Sequence, residues 1–210
     1  MTPTELIPAD IRALYTVRDY KHAATILAVD YPDQFEELCE ALRVFRFTDA
    51  EVVASGGNES AIPKTFSKLL RPKGWEETSL KAKLVIDEVE VTTDTHWIDY
   101  VKGRIAFDVE WNSKDQTFDR DLSAFRAFFD FGRISVAVLL TRDTTMMVPY
   151  LRSLGEFTDR SGRVRKVLDK YGGEGGSTTH MSQLIPRLEA GRAGGCPVLA
   201  LGITPSLRAS

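Results

Sequence analysis

The sequence has few cysteines and no long apolar run. Its 210 residues include two cysteines, Cys39 and Cys196, whose number and separation fit no zinc-binding pattern. We therefore expect two buried free thiols and no disulfide. No apolar run approaches the roughly 20 residues that cross a bilayer, and residues 1–10 lack the basic and then apolar pattern of a secretion signal. These absences predict a cytoplasmic protein without a membrane partner.

The chain also lacks an excess of positive charge. Its 27 Lys and Arg residues against 30 Asp and Glu residues give a net charge of −3, which argues weakly against a nucleic-acid partner because phosphate binding needs cations. The basic residues are nevertheless clustered, at 64–83 and 152–170. Such clusters are usually solvated surfaces, but two of them around an acidic centre would also suit a cleft that holds DNA.

Length and pattern predict one mixed α/β domain over residues 1–210, with a central β-sheet flanked by helices. The apolar periodicity predicts helices at 9–20, 35–42, 62–70, 119–131 and 160–170. It predicts strands at 41–48, 80–91, 98–101, 105–112 and 134–140. Residues 55–60 are typical of a turn, and the glycine-rich residues 171–177 are typical of a flexible loop.

Acidic side chains occur where the sequence otherwise predicts buried strands. From residue 105 to residue 112 apolar and polar residues alternate, so one face of a strand is core and the other is polar. That polar face carries Asp108, Glu110 and Asn112. If residues 98–101 form the preceding strand of a hairpin that turns at residues 102–103, Asp99 lies beside this row. The alternative is the solvated face of an ordinary amphipathic sheet.

Three converging carboxylates have a chemical consequence. Like charges that lie close together raise one another's pKa unless a cation lies among them. Oxygen ligands favour Mg²⁺ or Ca²⁺ over zinc or copper. The polar cluster that follows the acidic row, residues 113–121, is unusual for a plain exposed hairpin. The pattern therefore favours a metal site over a solvated face.

Residues 98–102 and 108–122 (Asp-Val-Glu-Trp-Asn-Ser-Lys-Asp-Gln-Thr-Phe-Asp-Arg-Asp-Leu) resemble the catalytic core of the BglII and BstYI type II restriction endonucleases. The similarity recurs at residues 177–187 and in the closing strand at residues 194–199. It thus extends over most of the chain after about residue 56. This resemblance implies the restriction-endonuclease-like fold of the PD-(D/E)xK nucleases, with a central mixed β-sheet flanked by helices.

The resemblance also implies the roles of the acidic residues. Asp99, Asp108 and Glu110 would be catalytic. Asp99 and Asp108 would hold Mg²⁺ together with the backbone carbonyl of Val109, and Glu110 would orient or deprotonate the attacking water. The sequence departs from the common pattern in two places, since Asp108 stands where Glu is more usual, and Glu110 stands where many nucleases carry Lys and the BglII type carries Gln. Without that lysine, charge neutralisation must come from the metal or from a nearby lysine such as Lys102 or Lys114.

Six residues are predicted to bind double-stranded DNA: Asn112, Ser113, Lys114, Arg142, Ser153 and His180. The first three follow the catalytic strand closely enough to address base edges in the major groove. Arg142 and Ser153 bound a predicted second reading segment. His180, at the head of a predicted helix, either contacts phosphate or caps that helix.

The resemblance and the chemistry imply further partners. Cutting both strands of a palindrome requires two active sites related by the twofold axis of the DNA, which favours a homodimer. Residues 119–131 are one possible interface element. The resemblance suggests a six-base palindrome with a GATC centre, and a companion DNA methyltransferase that acts on the same site.

Two other classes of protein remain open. A non-catalytic, sequence-specific DNA-binding protein on the same fold would keep the basic clusters but would not need converging carboxylates. A paired-carboxylate hydrolase such as a glycosidase would need aromatic sugar platforms near the acids. Trp97 and Trp111 are the candidates for that role, and the alternation places Trp111 in the core. Mg²⁺-dependent DNA cleavage would exclude both classes.

Overall fold

The computed structural model describes residues 2–54, 61–87, 89–173 and 176–209, and for Pro3 and residues 82–86 and 89–94 it describes the backbone alone. The strands of this part of the chain are β1 (Tyr15–Tyr20), β2 (Glu76–Thr78), β3 (Lys81–Ile86), β4 (Val89–Asp94), β5 (Ile98–Lys102), β6 (Ile105–Glu110), β7 (Val136–Arg142), β8 (Glu156–Thr158), β9 (Val164–Lys166) and β10 (Val198–Ile203). Six of them form a central sheet in the order β1-β10-β7-β6-β5-β2, and β3-β4 and β8-β9 are two separate hairpins.

Helices cover both faces of the sheet. They are α1 (Ala9–Leu14), α2 (Ala23–Asp30), α3 (Pro32–Val44), α4 (Asp49–Val53), α5 (Ala61–Leu70), α6 (Thr117–Asp130), α7 (Met147–Ser153), α8 (Val167–Lys170) and α9 (Met181–Glu189). Residues of α2–α5, α7 and α8 share one hydrophobic core with the sheet, and residues of α6 and α9 share the other. None of the described helices is both long and apolar enough to cross a membrane.

The strand directions place the ends of β6 and β7 together. Strand β6 is parallel to β7, β7 is parallel to β10, and β5 is antiparallel to β6. All residues of β7 and β10 are buried, because a central strand with helices on both faces has no solvated side. The loops that follow β6 and β7 therefore meet at one edge of the sheet.

The alternation of β6 sorts its residues between the two cores. Ile105, Phe107 and Val109 belong to the larger core, and Ala106 belongs to the core that contains α6 and α9. Because successive side chains of a strand point to opposite faces, Asp108 and Glu110 share the face of Ala106. The acidic row therefore faces α6 and is not a solvated surface.

The predicted fold class is confirmed: a central mixed β-sheet is flanked by helices. The helices predicted at 35–42, 62–70 and 119–131 correspond to α3, α5 and α6, respectively. Both cysteines are free and buried, as expected. Of the predicted turn and loop, residues 55–60 and 174–175 lie outside the described residues.

Three assignments of secondary structure were wrong. The helix predicted at 9–20 ends at Leu14, and residues 15–20 form β1, because they pair with the C-terminal strand β10. The run at 41–48 continues α3, followed by an extended segment in which Phe47 makes only an isolated bridge to Arg208. The strand signals at 80–91 are confirmed, and they belong to the two strands of the β3-β4 hairpin.

The third error concerns residues 160–170, which were predicted as a basic helix. They form β9 and the short helix α8. The cause is a local turn, in which Asp159 Oδ1 accepts hydrogen bonds from the backbone N–H groups of Ser161 and Arg163. This use of an aspartate side chain to close a turn competes with helix formation.

Candidate active site

The β5-β6 hairpin brings two of the predicted metal ligands together. Gly103 at its turn has a φ of +57°, a conformation that glycine adopts without strain. The register pairs Tyr100 with Phe107, and the same register places Asp99 opposite Asp108. The backbone N–H of Asp99 donates a 2.6 Å hydrogen bond to Asp108 Oδ1. The two carboxyl groups are therefore neighbours on adjacent strands.

Buried polar atoms without a hydrogen-bond partner collect at this place. Within the described residues they are Asp108 Oδ2, Glu110 Oε2, Asn112 Oδ1, Asp121 Oδ2 and Thr141 Oγ1. Three of these residues alternate along β6 and the segment that follows it, and Thr141 lies opposite Glu110 on β7. A buried polar atom without a partner costs about 1–3 kcal/mol, and folded proteins seldom retain several of them without a function. Their convergence indicates a site for a polar or ionic ligand.

The electrostatics of the site favour a cation. Burial, followed by the charge of Asp99, raises the pKa of Asp108 well above its usual value. Burial also raises the pKa of Glu110 to about 7, although a hydrogen bond from the Ser113 side chain opposes the shift. The pKa of Asp121 is raised by burial and then by the charges of Asp108, Glu110 and Asp99. Carboxylates this close ionise together only when a positive charge compensates them.

The residues fit a divalent cation that keeps part of its hydration shell. Among the described residues, no three His, Cys, Asp or Glu side chains are arranged to hold one ion directly. Mg²⁺ is usually bound through one or two carboxylates and retains several waters. The candidates for such a set of hard oxygen donors are the carboxylates of Asp99 and Asp108 and the backbone carbonyl of Val109, which lies between the two acids of β6. Glu110 lies next to this set.

Asp121 was not predicted from the sequence. It is 2% exposed and lies on α6, within the apolar stripe of that helix, between Phe118 and Phe125. Residues three and four apart share a helix face, so an aspartate at this position interrupts a stripe that would otherwise be entirely apolar. That interruption is the feature of the sequence from which a fourth carboxylate at the site could have been predicted.

Of the three residues predicted to read DNA bases after β6, Lys114 alone is exposed. Ser113 is half-buried, and its side chain is hydrogen-bonded to Glu110. Asn112 is also half-buried, and its Nδ2 donates to the backbone carbonyl of Lys170 at 3.4 Å. The segment is held in place by a β-bridge between Lys114 and Thr178. The structure therefore presents Lys114 to the solvent and turns its two neighbours inward.

Arg142 was predicted to bind DNA from the surface, but the structure buries it. It is 3% exposed, and its guanidinium donates to Trp111 O at 2.8 Å, Thr178 Oγ1 at 2.7 Å and Thr179 O at 2.9 Å. Three acceptors from two separate segments therefore engage Nε and Nη2 of the buried guanidinium. The structure gives Arg142 the role of connecting the segment after β6 with residues 178–179.

The other two predicted DNA-binding residues lie at helix ends. Ser153, the last residue of α7, is exposed, and its hydroxyl donates to the carbonyl of Tyr150. His180 occupies the N-cap position of α9, but its side chain makes no capping hydrogen bond. Its ring is buried, with Nδ1 3.1 Å from Thr144 Oγ1 and Nε2 3.3 Å from Gly176 O. The structure therefore does not bring Ser153 and His180 to the carboxylates.

Comparison with known proteins identifies the family of the chain. A search among curated proteins gave no significant match. The family model for restriction endonuclease BglII/BglIII matches residues 15–203, a range that includes the whole central sheet, α6 and α9. The chain therefore belongs to the BglII/BglIII family of restriction endonucleases, which are site-specific deoxyribonucleases.

Proposed function

We propose that the protein is a cytoplasmic type II restriction endonuclease that uses Mg²⁺ to hydrolyse double-stranded DNA at a short palindrome with a GATC centre. The observation that carries this proposal is the convergence of unpartnered carboxylate oxygens from Asp108, Glu110 and Asp121 on one face of the sheet. A companion DNA methyltransferase that modifies the same site would protect the host DNA. A non-catalytic DNA-binding protein has no use for such a costly cluster of buried acids.

In this mechanism the side chains of Asp99 and Asp108 and the carbonyl of Val109 would hold the cation. Mg²⁺ bound there would supply positive charge for the reacting phosphate and would lower the pKa of water. Glu110, two residues after Asp108 on β6, would accept a proton from the attacking water, because the cation beside it favours the ionised carboxylate that a general base needs. The Ser113 hydroxyl, bonded to Glu110, orients that carboxylate.

Digestion of a plasmid of known sequence tests the proposal. We expect a discrete set of fragments with Mg²⁺ and none with EDTA. Mapping of the fragment ends gives the recognition sequence and the position of the cut. Binding to specific fragments without any cleavage, across divalent cations, would leave the non-catalytic DNA-binding alternative in place of the endonuclease.

The proposal includes a homodimer that matches the twofold symmetry of the palindrome. Helix α6 is our candidate for part of the interface, since its exposed side carries Ser123 and Arg126 while its other side faces the carboxylates. A monomer that cuts both strands in one binding event would contradict this arrangement. Sedimentation of the protein with and without the mapped duplex measures it.

The raised pKa of Glu110 predicts a pH dependence of stability in cation-free buffer. The folded protein holds the proton of Glu110 up to about pH 7, whereas the ordinary pKa is 4.5. The folded state therefore binds more protons than the unfolded state in this interval. The contribution of Glu110 to the free energy of unfolding is therefore greatest below pH 4.5 and falls as the pH rises to about 7. The shift corresponds to a loss of up to about 3 kcal/mol.

Melting temperatures in EDTA at several pH values test this prediction. Asp108 and Asp121 contribute with the same sign, so the measured quantity is the difference between the wild type and Glu110→Gln. We expect that difference to change through pH 4.5–7, and we expect no such change for Glu156→Gln, an exposed acid on β8. A difference that is constant with pH would show that Glu110 titrates normally.

A further prediction concerns the exposed Lys114. We expect its ammonium group to donate to a guanine in the major groove, because the bridge to Thr178 fixes its backbone next to the active site. Lys114→Ala should then cost roughly 1–3 kcal/mol on the cognate site and relax the choice at one symmetric pair of positions. Cleavage rates on a set of single-pair site variants measure this.

Lys166→Ala is the matched control for Lys114. Lys166 is exposed on the β8-β9 hairpin, where a contact with DNA would be with phosphate. Its loss should weaken binding to all sequences alike and reduce the salt dependence by about one charge. If Lys114→Ala shows the same uniform loss, Lys114 contacts phosphate and does not read a base.

A further inference from the structure

Asp121 is the acid of the site that the proposed mechanism leaves without a role. It is 2% exposed, and its Oδ2 has no hydrogen-bond partner among the described residues. Its neighbours on the buried side of α6 are apolar: Phe118, Leu122, Ala124, Phe125 and Phe128. An aspartate among such residues costs folding free energy unless something at the site interacts with it. The position of Asp121 therefore requires a functional or structural reason.

The direction of the Asp121 side chain follows from the packing of α6. Asp121 is 2% exposed, and its helix neighbours Phe118, Leu122 and Phe125 lie in the core that also contains Ala106 of β6. In agreement with this position, burial and then the charges of Asp108, Glu110 and Asp99 raise its pKa. Asp108 and Glu110 lie on the sheet face that packs against α6, as the position of Ala106 in that core shows. The carboxylate of Asp121 thus approaches the site from the helix layer, opposite the strands that carry the other acids.

We infer that Asp121 is a positioning residue that binds the cation through water, on the side opposite Asp99 and Asp108. This inference rests on the proposed function, because it assumes the cation site on β5 and β6. Among the described residues, no three acidic, His or Cys side chains are placed to hold one ion directly. Asp121 therefore contacts the ion through a water molecule and does not coordinate it.

The chemistry of Mg²⁺ supports a contact of this kind. The ion gives up its waters reluctantly and commonly keeps several of them in protein sites. Each retained water donates hydrogen bonds, and the unpartnered oxygens of Asp121 and Glu110 are available to accept them. Groups that orient the ligands of a metal in this way typically change its affinity 10–100-fold. Asp121 therefore sets the affinity and the hydration of the cation without coordinating it.

The test measures cation binding separately from catalysis. The affinity of the protein for its mapped cognate duplex is measured as a function of Ca²⁺ concentration, and the melting temperature is measured with and without Ca²⁺. Asp121→Asn keeps the size of the side chain but removes an acceptor oxygen and the charge. We expect the Ca²⁺ concentration at half-maximal binding to rise about tenfold or more, with a smaller Ca²⁺-induced rise in melting temperature. The cation-free melting temperature should not fall.

Asp30→Asn is the control for the loss of a charge. Asp30 is an exposed aspartate at the C-terminal end of α2, outside both α6 and the acidic site. Its substitution removes the same charge and should leave the Ca²⁺ dependence unchanged. Asp121→Ser is a second variant, in case the amide of Asn forms a new hydrogen bond that mimics the carboxylate.

Parallel measurements on Asp99→Asn distinguish a failure of the inference about Asp121 from a failure of the proposed cation site. If Asp99→Asn loses the Ca²⁺ dependence and both Asp121 variants keep that of the wild type, the inference about Asp121 is overturned and the proposed cation site stands. If the wild type itself shows no Ca²⁺ dependence, or if Asp99→Asn keeps it, the cation site and the inference both fail. A lower melting temperature of Asp121→Asn with an unchanged Ca²⁺ midpoint would assign Asp121 a purely structural role.

Discussion

Asp99→Asn is expected to reduce DNA cleavage with Mg²⁺ by a factor of about 10³ or more while leaving specific DNA binding intact or improved. The substitution removes a charged oxygen that the cation needs, and the activation of water depends on that cation. It also removes one of the carboxylates that raise the pKa of Asp108, so the repulsion within the site and towards phosphate decreases. Catalysis and affinity should therefore change in opposite directions.

Cleavage of the mapped substrate and equilibrium binding in Ca²⁺ measure the two effects. Asp30→Asn serves as control, because Asp30 is an exposed aspartate at the end of α2 and is not one of the acids of the site. It should cut at the rate of the wild type. If Asp99→Asn retains a tenth or more of the wild-type rate with Mg²⁺, Asp99 is not a ligand of the catalytic cation.

The part of this site that follows strand alternation could be predicted from the sequence. Asp108 and Glu110 fall on one face because a strand has a period of two, and Gly103 marks the turn that brings Asp99 beside them. Both features depend only on neighbouring residues. The helix layer at α6 was equally readable, because its apolar stripe repeats with a helical period.

The features that the sequence did not predict, the strand at residues 15–20 and the burial of Arg142, depend on residues far apart in the chain. Residues 15–20 form a strand because β10, about 180 residues later, offers a free edge with which they pair, and no local pattern reports that partner. The burial of Arg142 depends on acceptors at residues 178–179. An arginine that follows a buried strand is typical of a surface loop, so the local sequence favoured a DNA contact. Long-range pairing overrides such local preferences.

The buried guanidinium of Arg142 leads to the largest expected effect on stability. Its donors satisfy Trp111 O, Thr178 Oγ1 and Thr179 O, and it lies 4.7 Å from the centre of the Tyr171 ring. Arg142→Ala removes the donor to the carbonyls of Trp111 and Thr179 and to the half-buried Thr178 hydroxyl, which still donates to the Tyr171 carbonyl, and it creates a cavity. Part of the cost is offset, since burial already lowers the pKa of Arg142 to about 10, which means that the cation itself is poorly solvated. We expect a net loss of about 3 kcal/mol.

Urea denaturation of Arg142→Ala and of Arg165→Ala tests this prediction. Arg165 is exposed on β9, and its loss should change the free energy of unfolding by less than about 0.5 kcal/mol. Arg142→Lys keeps the charge but lacks the planar fork, so its stability should lie between that of the wild type and that of Arg142→Ala. An unfolding midpoint equal to that of the wild type, together with weaker binding to cognate DNA, would restore the role in DNA recognition that the sequence predicted for Arg142.

Arg142→Ala should also lower the sequence specificity of DNA binding, because Arg142 helps to hold the backbone near Lys114. Arg142 connects the carbonyl of Trp111 with Thr178 and Thr179, and Thr178 is the bridge partner of Lys114. Without the guanidinium, the segment that presents Lys114 keeps its backbone hydrogen bonds to residues 177–179 but loses the connection that Arg142 of β7 makes between Trp111 and those residues. Arg142→Ala should therefore reduce the preference for the cognate site over single-pair variants, at a temperature where the variant is still folded. A cognate preference equal to that of the wild type under these conditions would show that the Lys114 segment keeps its position without Arg142.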